Sequence, residues 1–445
     1  MSLGKTGRSI LDLLLAWGAI FVRSTKTAAS AIRKDEEMGW CIVSGNQDAK
    51  MEPSLEPAAY PDVTASNRLT LWKPIRFIDI IEKLIYQSRP SRFIALLLVV
   101  SFVKTGIWYM PNLDGWRAIA VNPFRNPFIE PYNHYLFWNW LSPFAAWVLG
   151  LQNERPFLYF HLLFSAAFTC TFIALIWTQF EERNARTALV LFLAIPASAT
   201  AYFWVGMDSV TLFLMLLLLV VRRHLWLVLP IGVLLGMQHF EQGFVAFGAL
   251  LLALLLSFIQ KTGSDYSIRW AIACLVGVVL GKIILVLIFS HFGIYVNSGR
   301  AYLLQWYRMY VGFFYFHFQY VLWSAFGAAW IAVAKYAERG KAALPFLVVL
   351  SGLLLLLPLV ADETRVFSIV SFPLVAAYLL LDPGFLQSLD GRLVSAIFGI
   401  WLIVPWPWAW LGKPLVSIFP YDIAYVLHQV FGWLRVPPNQ PLWPF

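Results

Sequence analysis

Residues 136–151 read LFWNWLSPFAAWVLGL, and whether this segment crosses a membrane decides the arrangement of everything after it. The chain around it has 445 residues, of which 60% are apolar and only 13% are charged. Soluble domains carry about 25% charged residues, so this composition predicts an all-α protein that crosses a membrane many times. The segment itself is apolar enough to span, but it is shorter than the roughly 20 residues that a spanning helix needs.

Eleven other apolar runs are the predicted spans, within a range of 10 to 13. Several are short, and we expect their ends to extend into the loops. The eleven runs are residues 93–110, 157–179, 187–205, 209–221, 225–237, 243–259, 270–290, 313–334, 342–360, 366–381 and 393–411.

The distribution of Lys and Arg decides the case of residues 136–151, because cytoplasmic loops carry an excess of these residues. If the segment does not cross, the loops on the N-terminal side carry 10 Lys and Arg in 38 residues, and the opposite side carries 8 in 115. Residues 1–92 hold 13 of the 33 Lys and Arg, which marks their side as cytoplasmic. If the segment crosses, every later basic loop faces outward. We therefore predict a surface-lying helix at 136–151, eleven spans, the N-terminus inside and the C-terminus outside.

This arrangement divides the chain into three regions. Residues 1–92 are predicted to form a basic cytoplasmic region with helices lying in the membrane interface at 10–22 and at PIRFIDIIEKLIY, residues 74–86. Residues 93–411 form the membrane domain, with a large first outer loop at 111–156. Residues 412–445 form an outer tail, in which YDIAYVLHQVFGWL is predicted to be an amphipathic helix.

Several classes of protein are disfavoured by the same sequence. The three cysteines, Cys41, Cys170 and Cys274, lack the paired spacing of a disulfide framework or a metal cluster. The net charge of +9 does not indicate nucleic acid as a partner. No phosphate-binding loop or dinucleotide fingerprint is present, so nucleotide sugars and ATP are not expected as direct substrates. The pattern indicates no cofactor; a divalent cation would be compatible with the acidic residues, but no ligand spacing points to one.

Polar side chains gather on the predicted outer side, where charges at the membrane edge are costly and suggest function. Each has a structural alternative: Asp208 can cap a helix, residues 361–365 can form a plain turn, and the pair His239 and Glu241 can be a structural hydrogen bond. The candidates are Asp114, Glu130, His134, Asp208, His239, Glu241, Arg300, Trp306, Arg308, Asp362 and Arg365.

Asp114 is the candidate catalytic residue, because it opens the largest outer loop at the membrane surface. A single carboxylate in this position suits general-base work on an acceptor hydroxyl. Arg300, Arg308 and Arg365 are candidates for binding a phosphate, since a guanidinium group matches phosphate oxygens bidentately. Trp306 offers a flat apolar face for a sugar ring.

This layout resembles the GT-C superfamily of membrane glycosyltransferases, which take sugars from polyprenyl-phosphate carriers. Asp114 stands where that superfamily has an acidic residue just after the first span. The stretch YNHYLFWNWLSPFAAWVLGL resembles the surface helix of its first loop, and GMDSVTLFLMLLLLVV resembles its Asp at the outer end of the fourth span. Gly115 and Trp116 follow Asp114, where many members have a second acidic residue, so a metal-bound pair of carboxylates is not implied.

The resemblance implies inverting transfer of a sugar from a polyprenyl-phosphate donor to a glycan, glycolipid or protein acceptor, with Asp114 as the base. It also implies a multi-pass protein of the cell membrane, the inner membrane of a bacterium. Two alternatives remain open, a polymerase or ligase of lipid-linked glycans and a flippase or transporter of lipid-linked sugar. A transporter should show polar residues in both halves of the membrane, whereas here they favour the outer rim.

Overall fold

The computed structural model describes residues 74–105, 113–203, 206–263, 265–297, 306–404, 407–410 and 413–416. Contacts divide the chain after Lys73, and the unit that begins at Pro74 contains all of these residues. The interfacial helix predicted at 10–22, the tail helix predicted at 421–434 and Arg300 lie outside the described residues.

The described part of the chain is helical except for two short strands. Its helices, in chain order, are α1 (Pro74–Gln87), α2 (Pro90–Thr105), α3 (Leu113–Val121), α4 (His134–Phe137), α5 (Leu141–Val148), α6 (Glu154–Gln179), α7 (Glu182–Ala194), α8 (Pro196–Phe203), α9 (Met207–Val220), α10 (Leu225–Gln260), α11 (Ile268–His291), α12 (Tyr307–Phe326), α13 (Trp330–Ala337), α14 (Leu344–Leu355), α15 (Glu363–Val375), α16 (Pro383–Ser388) and α17 (Gly391–Ile403). Strands β1 (Pro407–Trp410) and β2 (Lys413–Val416) pair as an antiparallel hairpin.

Four of the described helices are long and apolar enough to cross a membrane: α6, α10, α11, and α15 with its continuation to Leu380. A fifth span results if α7 and α8, which are bent by 64° at Pro196, are taken together. Helices α9, α14 and α17 are apolar but shorter. The protein therefore has several long apolar helices compatible with a membrane protein, and the count of eleven spans stays a prediction.

Helix α10 is broken at His239, whose backbone (φ −160°, ψ 82°) is not helical. The side chain of Leu235 packs over Gly243, at 3.0 Å from the position of a Cβ there, although eight residues of straight helix would separate the two by about 12 Å. Arg222, just before α10, donates a hydrogen bond to the Tyr266 hydroxyl just beyond its end (3.1 Å). The chain thus reverses at His239, and the predicted spans 225–237 and 243–259 form two antiparallel arms.

The last predicted span, 393–411, is wrong in its second half. Helix α17 ends at Ile403, and the chain continues into the β1–β2 hairpin. The sequence VPWPW explains the difference, because Pro405 and Pro407 lack the N–H that a helix needs, and each disfavours helical backbone in the residue before it.

Hydrogen bonds and ion pairs sort the helix ends into two groups. At one end, here called the acidic end, contacts join Asn126 to Tyr295, Ser142 to Gln238, Gln238 to Met207, and Asp208 to Arg365. At the other, here called the basic end, contacts join Tyr86 to Thr187, Arg222 to Tyr266, and Arg339 to Asp382. These are the two sets of loops that follow when residues 136–151 stay on the surface.

Residues 113–148, in the predicted first outer loop, form a layer of short helices at the acidic end, here called the surface layer. Helix α4 has four residues and α5 has eight, so neither is long enough to cross a membrane. Helices α3, α4 and α5 bury apolar side chains in a second core, which is separate from the main core and which they share with the ends of α6, α9 and α11. Its members include Leu113, Trp116, Ile119, Phe137, Trp140 and Phe289.

Candidate functional site

Asp208, Asp362 and Arg365 form one contact network at the acidic end, here called the acid–arginine cluster. The Arg365 Nε–H donates to Asp208 Oδ2, and Arg365 Nη1 donates to Asp362 Oδ2 at 2.8 Å. The Asp208 side chain has no exposed surface, while those of Arg365 and Asp362 are 19% and 17% exposed. Two carboxylates therefore form ion pairs with one guanidinium group at the edge of the bundle.

The cluster depends on where two helices, α9 and α15, begin. Asp208 lies in the first turn of α9, and Asp362 is the residue before α15. Neither carboxylate makes a capping hydrogen bond to its own helix, because both turn to Arg365 one turn into α15. Asp208 therefore does not act as a helix cap through a side-chain hydrogen bond to the first turn.

Charge in the cluster favours cations and hydrogen-bond donors. With both carboxylates ionised, the three side chains carry a net charge of −1. Burial raises the pKa of Asp362 above its usual value, and this effect outweighs the opposing attraction of the Arg365 guanidinium. A phosphate would meet a guanidinium whose charge is already balanced, so the cluster is a poor phosphate site.

The β1–β2 hairpin packs beside the cluster. The Ala409 N–H donates to Thr364 Oγ1 (2.8 Å), and that hydroxyl donates to Ser324 on α12 (2.7 Å). Trp408, the residue before Ala409 in β1, is fully buried. Sequence reasoning missed Trp408 because the predicted span 393–411 placed it inside a membrane helix.

His239 and Glu241 lie at the reversal of α10. The His239 Nδ1 is 3.7 Å from a Glu241 carboxylate oxygen, and the imidazole is buried while the carboxylate is 30% exposed. A reversal at a single residue takes His239 out of the helix, which places the two side chains side by side. The pair therefore marks a tight turn at the acidic end, close to the start of α15.

A buried polar junction links the surface layer to the bundle, and the sequence analysis did not single out its residues. The Ser142 N–H donates to the Gln238 side-chain carbonyl (3.0 Å), and the Gln238 amide donates to the carbonyl of Met207 (3.2 Å). His161 on α6 lies 3.4 Å from the Ser142 hydroxyl. His161 and Ser142 are polar residues inside apolar runs, and this is the feature of the sequence from which the junction could have been suspected.

Asp114 lies on the outward face of α3. Its carboxylate is 65% exposed and pairs with Arg117 one turn later (3.2 Å). The opposite face of α3 is buried through Leu113, Trp116 and Ile119. No contact in the described part of the chain joins Asp114 to the acid–arginine cluster, so the candidate base stands on the surface layer instead.

The other predicted residues are spread around the same end. His134 is buried; it accepts a hydrogen bond from the Asn297 N–H at Nδ1 (2.9 Å), which leaves Nε2–H to donate to the Phe128 carbonyl (3.1 Å). The Nδ1 contact ties the first loop to Asn297, and the Nε2 contact holds His134 against Phe128 within the loop. Glu130 is exposed at the start of a 3₁₀ turn.

Trp306 and Arg308 lie at the exposed start of α12. The indole is 53% exposed, and the Arg308 Nε–H donates to the hydroxyl of Tyr307 (3.2 Å). The guanidinium carbon of Arg308 lies 5.9 Å from the centre of the Tyr307 ring. Arg308 is thus an exposed cation beside the aromatic rings of Tyr307 and Trp306, a combination that could bind a phosphate and a sugar ring.

Within the described residues, no group of three or more His, Cys, Asp or Glu side chains is placed to hold a metal ion. Comparisons of the chain with protein-family models, with curated proteins and with solved structures found no match.

Proposed function

We propose that the protein is an integral-membrane glycosyltransferase that moves a sugar from a polyprenyl-phosphate carrier to an acceptor on the extracytoplasmic side, with inversion. The observation that carries the proposal is the surface layer at the acidic end. It places an exposed carboxylate, Asp114, on a short helix that lies over the ends of the bundle. A lipid-linked donor needs such a site, because its tail stays in the bilayer while its head reaches the surface.

In the proposed reaction Asp114 removes the proton from the acceptor hydroxyl, whose oxygen then attacks the anomeric carbon of the sugar. The bond from that carbon to the phosphate oxygen breaks, and polyprenyl phosphate leaves with its electron pair. Positive groups near the leaving oxygen stabilise the charge that develops there. We assign this role to Arg308, and to Arg300 on the same loop, because Arg365 is committed to two carboxylates.

The proposal includes the finer topology. Eleven spans, an N-terminus inside and a C-terminus outside place the acidic end on the extracytoplasmic side of the inner membrane of a bacterium. The grouping of basic loops at the opposite end supports this orientation through the positive-inside rule. The acceptor is a glycan, a glycolipid or a protein.

The test is glycan and glycolipid profiling by mass spectrometry in cells that lack the gene. We expect one sugar residue to be missing from one class of molecule, and a plasmid copy of the gene to restore it. Loss of long chains only, with the repeat unit intact, would indicate a polymerase or ligase. Accumulation of lipid-linked precursor on the cytoplasmic face would contradict transfer and indicate a flippase.

A further inference from the structure

A pocket at the basic end lies between the loop that precedes α10 and the loop that precedes α11, and is here called the basic pocket. Its volume is about 380 Å³. The described residues that line it are Arg222, Arg223, Asp265, Tyr266, Ser267 and Trp270. The proposed reaction belongs to the acidic end and does not use this pocket.

Arg222 is held in the basic pocket by an uncharged partner. Its Nη1 donates a hydrogen bond to the Tyr266 hydroxyl (3.1 Å), and its guanidinium carbon lies 4.7 Å from the centre of the Tyr266 ring. Tyr266 is buried, and burial raises the pKa of its hydroxyl to about 12, so the hydroxyl keeps its proton at neutral pH. The contact therefore positions the guanidinium group without neutralising its charge.

Arg223 adds a second positive charge beside the first. Its side chain is exposed, and no carboxylate in the described part of the chain forms an ion pair with Arg222 or Arg223. With Asp265, the described lining residues carry a net charge of +1, and the exposed Lys261 and Arg269 add two more positive charges on either side of the same loop. A guanidinium group matches phosphate oxygens, so the pocket suits a phosphate.

Exposed apolar side chains beside the pocket favour a lipid as the source of that phosphate. In the first turn of α10, Trp226 is 73% exposed, and in the last turn Phe258 and Ile259 are 73% and 71% exposed. Helices α10 and α11 are long and apolar enough to cross a membrane, so we expect the pocket at their ends to lie at the depth of the lipid head groups. Acyl chains attached to a phosphate in the pocket can then contact these apolar side chains.

We infer that the basic pocket binds the phosphate of an anionic phospholipid, with Arg222 and Arg223 on the phosphate oxygens and the acyl chains beside Trp226 and Phe258. Basic pockets between helix ends bind such head groups because each cation near a membrane surface adds attraction for anionic lipid. The inference concerns the end opposite to the proposed reaction, and it does not rest on the glycosyltransferase function.

The test is native mass spectrometry of the full-length protein, purified in a non-ionic detergent. The protein is titrated with phosphatidylglycerol, whose head group is anionic, or with phosphatidylcholine, whose head group is zwitterionic. We expect phosphatidylglycerol to bind roughly fivefold more tightly or better, because the choline cation offsets the charge of the phosphate. Equal binding of the two lipids would overturn the inference.

Substitution of the two arginines locates the site. Arg223→Gln should weaken the binding of phosphatidylglycerol roughly fivefold, and Arg222→Gln with Arg223→Gln roughly 25-fold, because each cation near the surface contributes a factor of about five. Arg223 makes no side-chain contact with another described residue, so the single variant should unfold at the same temperature as wild type. Thermal unfolding checks this for both variants.

The matched control is Arg89→Gln with Arg92→Gln. It removes two exposed arginines from the basic end, and neither of them lines the pocket. This control should bind phosphatidylglycerol within about twofold of wild type. An equal loss in the two double variants would overturn the inference, since the charge of the whole end would then attract lipid without a defined site.

Inorganic phosphate distinguishes the two sources of a phosphate group. Ammonium phosphate should displace no more phosphatidylglycerol than ammonium chloride of the same ionic strength, because free phosphate lacks the acyl chains. Displacement of the lipid by phosphate but not by chloride would indicate a site for the free anion, and would overturn the assignment to a lipid.

Discussion

Arg365 holds two carboxylates that come from different parts of the chain. Asp208 is buried completely, and a buried carboxylate without a partner is strongly destabilising. The guanidinium group offsets that cost through its Nε–H and through Nη2, which lies 3.4 Å from the second oxygen of Asp208. We therefore interpret Arg365 as the residue that makes the acid–arginine cluster stable.

The first prediction follows from this interpretation. Arg365→Gln should lower the free energy of unfolding by about 3–5 kcal/mol, because it leaves Asp208 buried and unpaired. The double variant with Asp208→Asn should recover a large part of the loss. Thermal unfolding of the purified protein measures both.

The matched control for this prediction is Arg339→Gln. Arg339 pairs with Asp382 at the basic end, where its side chain is 34% exposed. An exposed ion pair contributes at most about 1 kcal/mol, so this variant should unfold close to wild type. Equal losses for Arg339→Gln and Arg365→Gln would show that burial of Asp208 does not set the effect.

Sequence reasoning placed Asp208, Asp362 and Arg365 on the same side of the membrane, but it did not pair them. A loop count gives the end of the bundle at which a residue lies, whereas pairing depends on how α9 and α15 are rotated about their axes. Contacts with neighbouring helices set that rotation; for α15, one of them is the hydrogen bond between Thr200 on α8 and Ser368 (2.6 Å). The assignment of Arg365 to a phosphate failed to anticipate this, because no local pattern shows that a guanidinium is already occupied.

At the scale of elements, α10 and α11 cross unusually closely. Gly232 and Gly236 on the first arm of α10 face Gly277 and Gly281 on α11, and the Cβ position at Gly236 lies 3.0 Å from the Cα of Gly281. Within a bilayer, small residues let helix backbones approach and gain dispersion energy. These four glycines therefore define the contact between the two helices.

The second prediction concerns this crossing. Gly236→Ala and Gly281→Ala should each lower the free energy of unfolding by about 1–3 kcal/mol, because the new methyl group would stand against the carbonyl oxygen of Val278 or Val233. Gly248→Ala is the control, since nothing lies within 4 Å of a Cβ there. Ala is the better helix former, so this control should unfold at the same temperature as wild type or higher. The same change in unfolding free energy for all three variants would contradict the close crossing of α10 and α11.

The third prediction tests the reversal at His239. In a protein without its native cysteines, Leu235→Cys with Gly243→Cys should form a disulfide on mild oxidation, because the two positions face each other. The pair Leu235→Cys with Gly248→Cys is the control and should stay reduced. Mass spectrometry of the oxidised protein distinguishes them. A continuous helix would leave both pairs reduced.

An apolar run in the sequence predicts a helix correctly in α10 but not at the end of α17. Two apolar runs separated by QHFEQ predicted two spans, and the structure has two antiparallel arms with His239 between them. The run at 393–411 has the length of a full span but contains Pro405 and Pro407. The two prolines end the helix early and redirect the chain into a hairpin that covers the acid–arginine cluster.

At the scale of the whole molecule, the loops divide into an acidic end with the surface layer and a basic end. From the sequence, each loop is assigned to one of two sides by the number of predicted spans before it, and the Lys and Arg content of the two sets predicts which side is cytoplasmic. The side of a membrane that each end faces stays a prediction. The count of eleven spans stays a prediction, since α9 and α14 are shorter than a full crossing needs. The buried polar junction at Ser142 lay beyond prediction, since it depends on how α5 rests on α10.

The fourth prediction tests the orientation of the two ends. A single cysteine at Glu130, exposed at the acidic end, should react with a membrane-impermeant thiol reagent in intact cells. A cysteine at Glu338, exposed at the basic end, should react only after the membrane is permeabilised. Gel shift of the labelled protein reports the result. Labelling of Glu338→Cys alone in intact cells would invert the topology.

The central claim is that Asp114 acts as the general base of sugar transfer, and complementation of the deletion strain tests it most directly. The variant is Asp114→Asn, and Glu338→Gln is its control, because both residues are exposed members of ion pairs spaced by three residues, with side chains 65% and 64% exposed. At equal protein levels, we predict that Glu338→Gln restores the missing sugar and Asp114→Asn does not. Full restoration of the sugar by Asp114→Asn would contradict the account.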